Sequence, residues 1–105
     1  MDALVVYITA SNEEEGAKIA RTLVEERLAG CVNIAGPIRS IYRWQGKIED
    51  ETEVLLIVKT RKELFAPLKT RVKELHSYAV PEVIALPVSD GSEDYLKWLE
   101  EVTGL

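Results

Sequence analysis

Soft metal ligands are nearly missing from this chain, which has one cysteine, Cys31, and one histidine, His76. A lone cysteine cannot close an internal disulfide, and a structural zinc site built from about four Cys and His side chains is excluded. Any metal bound here is held by few side chains or by several copies of the chain together. G-x-S-x-G, the P-loop, G-x-G-x-x-G, H-E-x-x-H and C-x-x-C are all missing, so the common nucleophile, phosphate, zinc-protease and redox devices have no place. The chain is therefore expected not to be an enzyme. No apolar run approaches the roughly 20 residues that span a bilayer, and Met1-Asp2-Ala3 lacks the basic start of a secretory signal. These features predict a cytoplasmic protein with no membrane segment. Basic residues are outnumbered, 13 against 18 acidic ones, and the formal charge of -5 disfavours nucleic acid and anionic lipid as partners.

What is present is aliphatic and patterned. The 105 residues are 47% hydrophobic and 30% charged, enough for one folded domain over 1–105 and too few for two cores. Leu4-Val5-Val6-Tyr7-Ile8-Thr9 is a short β-branched run that reads as a buried strand. Ser11 with Glu14 matches a capping box, and Ala17, Ala20, Leu23, Val24 and Leu28 predict a helix from about Asn12 to Leu28, with a Glu14–Lys18 pair on its surface. Cys31 to Trp44 reads as a bent edge strand interrupted at Gly36-Pro37. Trp44-Gln45-Gly46-Lys47 supplies a tight hairpin turn into a third strand that begins acidic and ends apolar at Val54–Val58. Thr60 and Glu63 repeat the capping spacing before a second helical stripe, Leu64, Leu68, Val72 and Leu75, in which Pro67 calls for a kink or a start nearer Ala66. Val83 to Val88 is a fourth strand, at an edge because of Pro87, and Asp90-Gly91-Ser92 leads into a short last helix. The order is that of an α+β, ferredoxin-like βαββαβ sandwich with an antiparallel sheet and a C-terminal helix.

Two helices cover one face of such a sheet, and a face that meets water normally alternates apolar with polar residues. Three of these strands do not alternate, so both faces call for burial, and the final helix is too short to cover the second. A homo-oligomer is expected, with Trp44 at the hairpin tip packing on a neighbour.

Imidazole and thiolate suit copper or zinc, which makes His76 and Cys31 candidate metal ligands. Each also has a purely structural role open to it, Cys31 as a small buried hydrophobe and His76 at a helix C-terminus. Glu49 to Glu53 lacks the glycine and carboxylate spacing of an EF-hand and reads as a solvated strand. Six basic residues between Lys59 and Lys73, with Glu63 the one acid among them, are either an anion-binding face or the wet side of the second helix.

Several long segments together resemble the CutA family of divalent-cation-tolerance proteins: Cys31-Val32-Asn33-Ile34, Ser40 to Glu49, Val58-Lys59-Thr60, Val80 to Val88, and Tyr95-Leu96-Lys97-Trp98-Leu99. The resemblance implies a ferredoxin-like homotrimer, related in architecture to the PII signalling proteins, in which long hairpins embrace the neighbour. It implies a role in metal tolerance, with Cu(II) or another divalent ion bound and no metal required for folding. Carried over by position, it places Cys31, Lys59, His76, Tyr78, Glu82 and Trp98 in a cleft between subunits. The loop after the second helix departs from the family's usual His-Pro-Tyr-Glu-x-Pro, reading His76-Ser77-Tyr78-Ala79-Val80-Pro81, and Ile8 stands where some members carry cysteine. His76 and Cys31 remain as the metal pair. The alternative is a PII-like sensor whose clefts take a small anionic metabolite or nucleotide, Lys59 meeting the charge.

Overall fold

The computed structural model describes residues 1–104. Its elements are β1 (Ala3–Ala10), α1 (Glu13–Glu25), β2 (Cys31–Trp44), β3 (Lys47–Arg61), a single 3-10 turn (Lys62–Leu64), α2 (Phe65–Leu75), β4 (Val83–Pro87) and α3 (Glu93–Thr103). The strands form one antiparallel sheet in the order β2-β3-β1-β4, which is the expected ferredoxin-like topology with β2 and β4 at the edges.

Strand alternation divides the side chains between two faces. Val6, Ile8 and Ala10 of β1 and Val54, Leu56 and Val58 of β3 point one way and are buried with Ile19 and Leu23 of α1 and Leu68 and Val72 of α2. Their neighbours Val5, Tyr7, Leu55 and Ile57, with Ile84 and Leu86 of β4, point the other way. Among the described residues only α3 crosses that second face, burying Ala3, Leu99 and Thr103 at one end. Ile84 and Leu86 stay 51% and 46% exposed.

The first expected capping box shifts by one residue, and the second does not form. Asn12, not Ser11, caps α1, its extended backbone letting the side chain accept from the Glu15 N–H at 2.8 Å. Glu15 then reaches back to the Ser11 N–H and hydroxyl. Gly16, Ile19, Ala20 and Leu23 turn inward, while Ala17 and Val24 are left in water. The helix stops at Glu25, short of Leu28, because Arg27 turns left-handed (φ 59°) and the Leu28 and Ala29 N–H groups fold back onto the Leu23 carbonyl. The i,i+4 ion pair that forms on this helix is Arg21–Glu25, at 3.8 Å. Thr60 does not cap α2. It remains in β3, fully buried, with its hydroxyl donating to the Leu28 carbonyl at 2.7 Å. Because α2 starts at Phe65, Pro67 falls in the first turn, where its missing N–H has no intrahelical partner to lose, so no kink is required.

Because β1 pairs with β3 only from Val54 to Arg61, the hairpin beyond Ile38 and Glu53 projects as a two-stranded ribbon and stretches the molecule to 44 × 25 × 21 Å. Its turn has positive φ at both Gln45 (50°) and Gly46 (80°), the conformation that matches strand twist. Ile41, Trp44 and Ile48 on the ribbon are exposed.

Leu56 belongs to the core cluster beside Gly16 of α1 and is wholly buried. Leu56→Ala is expected to lower unfolding free energy by about 3 kcal/mol, measured by denaturant unfolding at a fixed protein concentration.

Candidate functional site

The residues singled out from sequence form two groups, one beside α3 and the other at the loop after α2. At the α3 end, the β2–β3 register sets Cys31 directly across from Lys59. The Lys59 ammonium donates to the side-chain carbonyl of Asn33, and the Cys31 thiol lies 3.9 Å from that same oxygen. Two residues along from Cys31 on the same face, Asn33 is the member of this group that sequence reasoning missed; strand alternation from Cys31 is the signal that finds it. α3 completes the group with Trp98 and Tyr95, whose rings lie 5.4 Å apart. Burial first, then the neighbouring Cys31, pushes the Tyr95 phenol above its ordinary pKa. A close approach fixes α3 here: a Cβ at Gly30 would stand 2.5 Å from Leu99 and 3.7 Å from Trp98. Arg61 and Arg27 hold the helix end, donating to the Thr103 and Val102 carbonyls, where positive charge suits the dipole.

The other group gathers around the loop after α2. His76 is buried at the C-cap of α2, with Nε2 2.7 Å from the Thr9 carbonyl and Nδ1 3.0 Å from the Tyr78 N–H. The Tyr78 ring packs on the imidazole with centroids 4.5 Å apart, and its hydroxyl donates to Glu53 at 2.7 Å. Glu53 is only 5% exposed, and burial followed by this carboxylate raises the Tyr78 phenol well above its usual range. The Ser77 N–H donates to Glu15, which also receives both Ser11 donors. Burial alone would raise the Glu15 pKa, but hydrogen bonds from Ser77 and Ser11 outweigh it and bring the value down to about 2. Glu82 is exposed at the same end, just before β4. Beside Glu53 a shallow cleft of about 390 Å³ opens between Ser11–Glu13 and Gly36–Pro37.

The structure thus joins Cys31, Lys59 and Trp98, and separately His76 and Tyr78 with Glu82 nearby. Lys59 pairs with Val5 and Leu55 with Thr9, so the groups lie four β1 residues apart, roughly 13 Å along the strand. Within this protomer His76 and Cys31 lie in different groups, and both ring nitrogens of His76 already have protein partners. Among the described residues, no group of three or more His, Cys, Asp or Glu side chains is placed to hold a metal. The acidic strand disperses as well, Asp50 pairing with Arg39 at 2.6 Å and Glu53 turning to Tyr78. So does the basic run, since Arg71 pairs with Glu26 and Glu74, Arg61 with Glu63, and Lys59 with Asn33.

A family model described as CutA1 divalent ion tolerance protein matches residues 4–102. The chain belongs to the CutA1 divalent ion tolerance family. It is 55% identical over 100 residues to the divalent-cation tolerance protein CutA of Thermus thermophilus, covering 95% of this chain and 97% of that one. It is 50% identical to a chloroplastic CutA protein of Arabidopsis thaliana over 96% of this chain, but spans only 56% of that relative's length. Solved CutA structures superpose closely. The one from Thermus thermophilus gives a TM-score of 0.95 at 54% identity over 97% of this chain and 99% of that one. CutA1 from Oryza sativa gives 0.96 at 46% identity, covering 99% and 95%.

Glu15→Gln isolates the loop network. The folded pKa of Glu15 lies below the unfolded value, so its stabilisation is complete above about pH 4.5 and fades as pH falls toward 2. Denaturant unfolding should show a deficit of roughly 1–2 kcal/mol at pH 7 that shrinks steadily below pH 4.5.

Proposed function

We propose that the protein serves divalent-cation tolerance as a non-enzymatic homotrimer that binds copper or another divalent ion at clefts between its subunits. The observation that carries this reading is the family match across nearly the whole chain. Two structural features support the assembly. Among the described residues, an apolar sheet face carrying Val5, Tyr7, Ile57, Ile84 and Leu86 lacks cover beyond α3, and neither edge strand pairs on its outer side. In such an assembly the two groups meet across subunits, Cys31, Lys59 and Trp98 of one protomer facing Tyr78 and Glu82 of the next. Cys31 is the soft ligand this arrangement offers, and a reducing cytoplasm would keep its thiol free. Among the described residues no helix is long and apolar enough to cross a membrane.

The PII-like alternative has less behind it. The relatives carry names of divalent-cation tolerance, and Lys59, the cation expected to meet an anionic ligand, already donates to Asn33.

Sedimentation equilibrium should give a particle of about 35 kDa, three chains of 11.8 kDa, and Leu86→Asp should shift it toward single chains. A wild-type protein that stays a lone chain at micromolar concentration rejects the assembly. Titration calorimetry with Cu(II) should show Cys31→Ser binding at least about tenfold more weakly than wild type. Equal affinity rejects Cys31 as a ligand.

A further inference from the structure

Which nitrogen of His76 carries the proton is fixed by its two partners. Tyr78 N–H can only donate, so Nδ1 accepts and is unprotonated. The Thr9 carbonyl can only accept, so Nε2 carries the hydrogen and donates. The Thr9 bond alone would suit a metal ligand, because coordinating imidazoles commonly donate their other N–H to a carbonyl. It is the Tyr78 amide that occupies the remaining lone pair. That amide bond spans two residues, in the pattern by which a short polar side chain organises its own turn. The consequences run onward through the loop. Tyr78 packs on the imidazole and its hydroxyl reaches Glu53, while Ser77 between them is tied to Glu15.

We infer that His76 is a positioning residue, which sets the 76–78 turn and thereby aims Tyr78 and Glu53, and that cation binding at the cleft leaves its imidazole uncoordinated. This inference rests on the cleft proposed above for the ion but makes a separate statement about one side chain. His76 is the chain's single histidine, so a nitrogen-15 imidazole spectrum of the whole protein has one set of signals to assign.

The test uses the full-length protein and Zn(II) alone as the probe. Before metal, the spectrum should show an unprotonated Nδ1 and a protonated Nε2; the opposite tautomer, or rapid exchange between the two, overturns the inference. With Zn(II) bound, both nitrogen shifts should stay in place, and a large shift of Nδ1 overturns it. His76→Asn keeps an acceptor for the Tyr78 amide. It should retain slow amide exchange at Ser77 and Tyr78 and hold Zn(II) with wild-type affinity, whereas His76→Ala should speed that exchange by about tenfold or more. A tenfold loss of Zn(II) affinity in His76→Asn with the loop still protected rejects the positioning role. If wild type takes up no Zn(II), the cleft is rejected as a Zn(II) site, while the tautomer and the exchange rates still decide the role of His76.

Discussion

A four-stranded sheet with apolar side chains on both faces needs two covers, and this chain builds one and part of another. α1 and α2 exclude water from Val6, Ile8, Leu56 and Val58, and each fully buried side chain of this size contributes about 2 kcal/mol. On the reverse, α3 is held by Leu99 against Gly30 and by arginines at its last carbonyls, and it stops at the Ala3 end. The rest of that face sets the terms for everything else. It leaves Ile84 and Leu86 open, with the Cys31 group at its α3 end.

The second organising element is polar. Glu15 belongs to a helix start but works as a junction, with one oxygen receiving both Ser11 donors and the other the Ser77 amide from the loop beyond α2. His76 ties that loop to the end of β1, and Tyr78 ties it to Glu53 of β3. Three segments distant in sequence, 9–15, Glu53 and 76–78, are thereby fixed at one corner. Charge-assisted bonds of this kind are stronger than neutral ones, and their value falls when the carboxylate takes up a proton.

Much of the fold was legible because strand chemistry is local. The β-branched runs, the Gln45-Gly46 turn, and the proline-marked edges each act through their own backbone, and the structure places them as expected. The helix starts were less legible. Ser11 and Asn12 are both good caps, and the choice of Asn12 is visible only in the folded chain, where Gly16 packs closely on Val54. Thr60 has the right neighbour for a cap yet is claimed by the Leu28 carbonyl 32 residues away. For the site, alternation could pair Cys31 with Lys59 once the hairpin register was known. The engagement of His76 depends on a backbone carbonyl 67 residues earlier, and no residue type in a sequence announces a main-chain partner.

The ribbon beyond Ile38 and Glu53 obeys an arithmetic of its own. Each residue added to both strands lengthens it by about 3.4 Å and exchanges its two surfaces, so Trp44 would swing from one side to the other. Extension or trimming that preserves the orientation of the tip therefore proceeds in double steps of about 7 Å, and reach and handedness of presentation are inherited together.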